Sequence, residues 1–401
     1  MRIGIHSYVF YPEFFLINDL CFELAKSQHE VSVSTSLPNY SGGRLPRGYS
    51  YLGPYFEEQD GVKIFRFPVI TRKTGFFFLT LNYLSNLLFS SLNIFRIPKV
   101  EVSFVFGVSP IFVALPAILQ KKLLGTPVVV WLQDLWPESF SAVTGVPSSN
   151  WLHKLLENLV AYIYRNTDVV LIQSESFREN LKKYDFRGRV EYVPNWAPEV
   201  HYDNLKKFDW LEAIPAENFV FTFAGNVGHA QCLDTLLDAI KLLNCDLKVT
   251  FLIVGSGNAL DGLIKRVRDE GISNVHFVGR KPIHEMPALF ARSSCLYVSL
   301  SKKKLFAETI PSKVQAYLAA GRPILASLDG EGARVIQESG AGFVGPSMDA
   351  NALRNNILRM LNLSFVERES LGKSGHEYYL NNFKKATLIK RIETILQETA
   401  K

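Results

Sequence analysis

The sequence predicts an α/β protein built from two parallel-sheet domains in tandem, and three observations lead there. Short apolar runs alternate with helical patterns from the first residues, the alternation breaks once at a Pro-bracketed polar and aromatic stretch, and it then resumes up to a last helical segment. At 401 residues the chain exceeds what one core holds and fits two domains of roughly 150–200 residues each.

The first series reads RIGIHS as a strand, INDLCFELAKSQH as a helix and EVSVSTS as a strand, followed by the strands VSFVFG, PVVVWLQ and DVVLIQS with helix-like or loop sequence between them. VEYVPNWAPEVHY, with Pro194 and Pro198, is read as the hinge. The second series gives the strands FVFTFAG, KVTFLIVGSG, VHFVGR, CLYVSL, PILASL and AGFVG, again with helices between. LNNFKKATLIKRIETILQETAK has helical apolar spacing and is read as a closing helix. The expected divisions are residues 1–195, 196–380 and 381–401, each of the first two a Rossmann-like domain with ligands at the carboxyl ends of its strands.

Composition excludes several classes. Hydrophobic residues at 47% and charged residues at 20% describe an ordinary folded chain rather than a disordered one. The net charge of +6 is spread evenly, with 19 Lys/Arg against 17 Asp/Glu in residues 1–200, and no run of five or more cations marks a nucleic-acid arm. Cys21, Cys232, Cys245 and Cys295 show no paired spacing, so neither a disulfide framework nor a zinc site is expected. MRIGIHSYVFYPE lacks an apolar signal core with a small-residue cleavage site and reads as a first strand, which makes a cytoplasmic protein the expectation.

Residues 74–95, TGFFFLTLNYLSNLLFSSLNIF, form an uncharged run of 22 residues between Arg72/Lys73 and Arg96/Lys99. The length suffices to cross a bilayer, but eight Thr, Ser and Asn residues weigh against a lipid-embedded span. Two readings stay open: a helix buried against the first domain, or an element on the membrane surface held by the flanking cations.

No GxGxxG after a strand, GxxxxGK[ST], HExxH or GxSxG motif is present, which removes the usual signals of dinucleotide oxidoreduction, P-loop phosphoryl transfer, zinc hydrolysis and serine hydrolysis. The second half instead carries turns at strand ends: AGNVGHAQ, GSGN, VGRKP, SKKKLFAETIPSK and LDGEGAR. In AETIPSKVQAYLAAGRP, Pro311 suits a first helical turn and Gly321 the position past the end, so a helix of about ten residues is expected. Its free first-turn N–H groups beside Lys313, with Arg280, Lys281 and Lys302 to Lys304, suit a phosphate.

Taken together, YPEFFLINDL, LPNYSGG, ALPAI, WLQDLWPES, YVPNWAPE, AGNVGHAQ, VGRKP, TIPSKVQAYLAAGRPI and LDGEGARVI resemble a GT-B glycosyltransferase of family 4, in the branch of the L-fucosamine transferase-like enzymes of bacterial O-antigen and capsule assembly. The resemblance implies two Rossmann-like domains facing across a cleft, a nucleotide-sugar, expected to be a UDP-sugar, held by the second, an acceptor held by the first, and a final helix returning to the first. It implies hexosyl transfer to a lipid-linked or saccharide acceptor with retention; beside it, a place on the cytoplasmic face of the inner membrane and no nucleic-acid partner are expected.

Site residues follow from the same resemblance. Family members place a polar residue facing the reacting sugar where this chain has Asp134; its alternative is a cap on the following helix. The usual pair of Glu residues corresponds to Glu308 and Ala316, so Glu308 is expected beside the donor sugar and Gln315 becomes the candidate for the ribose. The usual Arg and Lys after the first strand of the second domain are absent, leaving Asn226 and Gln231 as donor contacts, with Arg280, Lys304, Ser312 and Lys313 for the diphosphate. His6, Asn18 and Glu138 are weaker candidates for acceptor or sugar contact, a core role being the alternative for His6.

No Asp-x-Asp pair is present; Asp329-Gly330-Glu331 is the nearest counterpart and reads as a polar turn before a helix starting near Ala333, so metal-independent transfer is expected. Epimerisation of a UDP-sugar on the same fold and a non-catalytic nucleotide-sugar-binding scaffold are the competing readings.

Overall fold

The computed structural model describes residues 1–39, 43–71, 76–147, 149–197, 200–202, 205–206, 208–212, 214–215, 217–243 and 247–401. Tyr40 to Gly42, Arg72 to Gly75, Pro198 and Cys245, all in stretches singled out above, lie outside the described residues. The chain divides into two compact units, residues 1–194 with 386–401, and residues 195–385.

Among the described residues, unit 1 holds an eight-stranded sheet: β1 (Arg2–His6), β2 (Glu30–Ser36), β3 (Phe56–Gln59), β4 (Val62–Phe67), β5 (Val102–Gly107), β6 (Val128–Leu132), β7 (Val169–Ile172) and β8 (Arg189–Tyr192). The spatial order is β3-β4-β2-β1-β5-β6-β7-β8, parallel except for the β3/β4 pair. β5, β6 and β7 are buried throughout, so both faces need apolar side chains and the strands read as continuous runs. The strand order reverses at β1, whose neighbours are β2 and β5, and this opens a crevice at their carboxyl ends.

Two elements depart from expectation. The start of the expected hinge is the edge strand β8, and the division between units falls after Pro194. The hairpin β3/β4 turns at Asp60-Gly61, both at positive φ (49° and 78°), the conformation a two-residue hairpin loop demands. The closing helix Lys385–Thr399 packs in unit 1, where His29 Nε2 lies 2.9 Å from Glu393 Oε1 and Arg391 donates to Glu191 at 2.9 Å.

Among its described residues, unit 2 holds six parallel strands: β9 (Phe219–Ala224), β10 (Val249–Val254), β11 (Val275–Gly279), β12 (Cys295–Ser299), β13 (Ile324–Ser327) and β14 (Gly342–Gly345), in the order β11-β10-β9-β12-β13-β14. Alternation along β9 sends Val220 and Ala224 to one core and Phe221 and Phe223 to the other, where Phe221 stacks on Phe251 at 5.3 Å. The order reverses at β9, whose neighbours are β10 and β12. Cys21 and Cys295 are buried and Cys232 is partly exposed, all as free thiols.

Candidate functional site

In unit 1 the turns that leave β1, β5 and β6 converge. Asp134, two residues past β6, accepts from Ser109 N (2.9 Å) and Ser109 Oγ (2.7 Å), and both bonds fall on Oδ2. Ser109 Oγ in turn accepts from Trp136 Nε1 at 2.9 Å. The helix that follows, Glu138–Thr144, has Pro137 as its N-cap and no side-chain cap, so Asp134 is not a helix cap. Its carboxylate lines a cavity of about 220 Å³ walled by Phe15, Tyr83, Trp136 and Phe140. A carboxylate at the end of an aromatic-walled cavity is suited to accept a hydrogen bond from a sugar hydroxyl and to hold its ring against apolar faces. Ser109 and Trp136 were not foreseen as its partners; the signal was the GVSP turn directly after VSFVFG.

The other unit 1 candidates have partners within the unit. His6 is 2% exposed and sits under the helix Ala114–Leu124, with Nε2 3.3 Å from Gln120 Oε1. Burial pulls its pKa down to about 4, against the smaller opposing effect of Gln120, so the ring is neutral at pH 7. The folded value lies below the unfolded one of about 6.5, so the unfolded chain takes the proton first and stability falls as pH drops from 6.5 towards 4. Between pH 7.5 and 5 this group is expected to remove about 2 kcal/mol. Urea unfolding at both pH values should show that much less acid sensitivity in His6→Gln, and an equal loss in both proteins would refute it. Asn18 is buried and donates to Glu13 O at 2.8 Å, fastening the loop before its helix. Glu138 is not among the residues that line the cavity; Lys183 Nζ stands 3.6 Å and Asn180 Nδ2 3.5 Å from its Oε1.

In unit 2 the Gly turns after β9 and β10 pack backbone to backbone. Gly255 (φ 149°) lies so close that a Cβ there would stand 1.8 Å from Gly225 O, and a Cβ on Gly225 (φ 139°) would stand 2.5 Å from Lys313 Cε. Those two glycines let the Lys313 side chain run across the end of β9, its Nζ 4.9 Å from the Phe223 ring centroid. Among the described residues no carboxylate pairs with this ammonium, and desolvation lowers its pKa to about 8. Tyr317, one turn further along the same helix, holds it in place by accepting from Ala224 N at 2.9 Å and donating to Ala224 O at 3.3 Å.

That helix, Ser312–Ala319, is eight residues long, with Pro311 as N-cap rather than first helical residue and no side-chain cap on its first-turn N–H groups. Gly321 takes the left-handed conformation (φ 62°) past its end. Beside Gly225, Asn226, Gly255, Ser256, Arg280 and Lys281 line a cavity of about 370 Å³. Lys313, the open helix start, Arg280 and Lys281 thus gather positive potential at the carboxyl edge of the sheet, the arrangement that receives a diphosphate.

The remaining unit 2 candidates divide. Asn226 is exposed at this edge and donates to Gln231 Oε1 at 3.2 Å, an oxygen that also accepts from Gly228 N at 3.0 Å. Gln231 is therefore a staple of the AGNVGHAQ turn, helped by Asn258, which accepts from His229 N. Gln315 is 1% exposed and donates to Asn195 O at 2.7 Å, so it is an internal tie rather than an open ribose ligand. Ser312 and Lys304 are exposed, and Lys304 Nζ lies 3.7 Å from Glu308, which is partly buried.

The helix expected near Ala333 begins at Gly330, with Asp329 as its N-cap. Asp329 Oδ1 accepts from Ser347 N, and both Glu331 oxygens accept from Arg334, at 3.2 and 2.9 Å. No group of three or more His, Cys, Asp or Glu residues among the described ones is disposed to hold a metal ion.

Residues 17–196 match the family model of the glycosyl transferase 4-like domain, and residues 206–378 match glycosyl transferases group 1. The chain is 27% identical over 287 residues to the probable glycosyltransferase WbjE of Pseudomonas aeruginosa, covering 68% of this chain and 70% of that one. It is 23% identical over 337 residues to the putative colanic acid biosynthesis glycosyl transferase WcaI of Escherichia coli K12, covering 80% and 82%. Among solved structures, Anabaena HepE in complex with UDP superposes with a TM-score of 0.73 at 14% identity over 99% of this chain and 100% of that one. With a parallel sheet in one unit, a sheet parallel but for its edge hairpin in the other, and a transferase domain matched on each, the chain belongs to the family 4 glycosyltransferases of the GT-B fold and is an enzyme of the hexosyltransferase type.

Proposed function

We propose that the enzyme moves a sugar from a UDP-sugar, bound by unit 2, to a lipid-linked or saccharide acceptor, bound by unit 1, during assembly of a bacterial surface polysaccharide. The observation that carries the donor reading is Lys313, an ammonium drawn out of water beside an uncapped helix start, with no carboxylate partner among the described residues. Such a charge is costly alone and is stabilised by an incoming diphosphate. The name of WcaI, a putative colanic acid biosynthesis glycosyl transferase, supports the polysaccharide role, that of WbjE supports glycosyl transfer, and the UDP complex of HepE supports the nucleotide. The narrower kinship with the L-fucosamine transferase-like enzymes, the retention of anomeric configuration and a place on the cytoplasmic face of the inner membrane belong to the same proposal.

In the step itself the acceptor hydroxyl oxygen bonds to the anomeric carbon as the bond from that carbon to the diphosphate breaks. The electron pair leaves on UDP and the hydroxyl proton goes with it. Asp134 accepts a hydrogen bond from the hydroxyl and orients its oxygen, Lys313, Arg280 and the helix start take up the charge of the leaving diphosphate, and Glu308 stands beside the donor sugar. These cations supply the charge neutralisation for which other transferases use magnesium, and Arg334 already occupies Glu331, so transfer proceeds without a divalent ion.

A panel of nucleotide-sugars with lipid-linked acceptors, read by released nucleoside diphosphate and by the glycosylated product, tests this proposal. Product from a UDP-sugar, unchanged after exhaustive EDTA treatment, is expected. Loss of activity with EDTA and recovery with magnesium would overturn the metal-independent mechanism, and epimer exchange without product would overturn transfer.

A further inference from the structure

The helix Phe76–Asn93 is turned inside out. Its polar residues face the protein: Asn82, Ser85, Asn86, Ser90 and Asn93 are all buried. Asn82 donates to Ile70 O at 2.6 Å and accepts from Tyr8, Ser85 Oγ accepts from Ile70 N at 3.0 Å, and Asn93 Nδ2 donates to Ser34 Oγ and Phe65 O, each at 2.9 Å. Its apolar residues face outward: Phe77 is 67% exposed, Leu84 57%, Leu88 58% and Leu92 55%, with Phe95 just past its end 73% exposed. Spacings of four and seven residues put these side chains on one stripe, opposite Asn82, Asn86 and Asn93. At 1.5 Å per residue the stripe is about 27 Å long.

A globular surface does not keep such a stripe wet without a use. No helix among the described residues is long and apolar enough to cross a membrane, and this one is anchored along its polar side, so it cannot leave the protein to do so. The charge around it names the occupant: from Gly61 to Val100 the sequence has Lys and Arg but no Asp or Glu, and while Arg66 is buried against Glu57 and Arg72 and Lys73 lie outside the described residues, Lys63, Arg96 and Lys99 are exposed. We infer that the outward face of the helix Phe76–Asn93 docks unit 1 on an anionic lipid bilayer, lying in the interface with Phe77, Leu84, Leu88 and Leu92 among the acyl chains and the flanking cations at the headgroups. Leu79 and Tyr83 of the same helix line the Asp134 cavity, so docking would bring that cavity to the surface from which a lipid-linked acceptor is presented. This last step rests on the proposed acceptor, whereas the docking itself does not.

Flotation of the full chain on a sucrose gradient with vesicles of 40% phosphatidylglycerol tests the docking. The wild type is expected to float at low salt, to float several-fold less at 0.5 M NaCl or with purely zwitterionic vesicles, and to lose more than tenfold of its vesicle partitioning in the Leu84→Ser, Leu88→Ser, Leu92→Ser variant. Those substitutions lie on the exposed side, so the melting temperature and UDP affinity should be kept, and a single Leu88→Asp variant serves if the triple one folds poorly. Wild type left at the bottom of the gradient, or variants that float equally, would overturn the inference. So would a wild-type dimer in sedimentation that the variants dissociate without any flotation, since a second copy would then cover the face. Flotation with no sugar transfer would count against the proposed function alone, and transfer with no flotation against the docking alone.

Discussion

Asp134→Asn is expected to lower turnover by about 10²–10⁴-fold, the range for removing a positioned acid–base or hydrogen-bonding group at the reacting centre. The substitution is nearly isosteric, and an amide oxygen can go on accepting from Ser109 N and Oγ as Oδ2 does now. What disappears is the negative charge and the second acceptor oxygen at the wall of the cavity of about 220 Å³. An acceptor hydroxyl would then meet an N–H donor where it had an acceptor. Because UDP is assigned to unit 2, its calorimetric affinity should be unchanged, and so should the melting temperature. A variant turning over at near the wild-type rate would reduce Asp134 to a tie for the GVSP turn.

Lys313→Ala is expected to weaken UDP by about 1–3 kcal/mol, the scale of a charge-assisted hydrogen bond lost from a half-buried site. The pH dependence makes the assignment specific. Desolvation has already brought the free ammonium to a pKa of about 8, and only its protonated form attracts the diphosphate. UDP affinity should therefore fall as pH rises through 8, by about tenfold between pH 7 and 9. Lys313→Ala should lack that component, and subtracting its profile removes titration of the nucleotide itself. Equal affinity in the two proteins, or parallel pH profiles, would remove Lys313 from the donor site and return the charge to Arg280 and Lys281.

Much of the fold was legible because its strands are doubly covered. β5, β6, β9, β10 and β12 are buried along nearly their whole length, so VSFVFG, VVVWL, FVFTFA, VTFLIV and CLYVS could be read without any tertiary information. The hairpin β3/β4 carries its own signal, Asp60-Gly61 between FEEQ and VKIFRF, but FEEQ is short and half exposed and neither strand has a continuous apolar run. β8 was hidden because RVEY is an edge strand with only one apolar neighbour pattern to show, and it abuts the prolines that suggested a hinge.

The site divided in the same way. The Gly-containing turns and Lys313 stand out by residue type at strand ends and a helix start, whereas Asp134 is singled out only by the family resemblance. Which polar side chains stay open is a matter of packing: Gln315 and Gln231 look alike as ligands in sequence, yet one is tied to Asn195 O and the other to Gly228 N.

The sequence by itself determined the alternation of the doubly covered strands with helices, the two-domain division of a 401-residue chain, and a helix starting beside Pro311 and ending before Gly321, since each depends on local pattern or length. Only the tertiary structure decided the direction of the helix Phe76–Asn93. Its pattern of Asn and Ser against Phe and Leu shows two faces, and periodicity cannot say which of them is covered. The usual answer, apolar side in, is reversed: Ile70 and Phe65 offer backbone groups, and Tyr8 and Ser34 offer hydroxyls, that Asn82, Ser85 and Asn93 satisfy once buried.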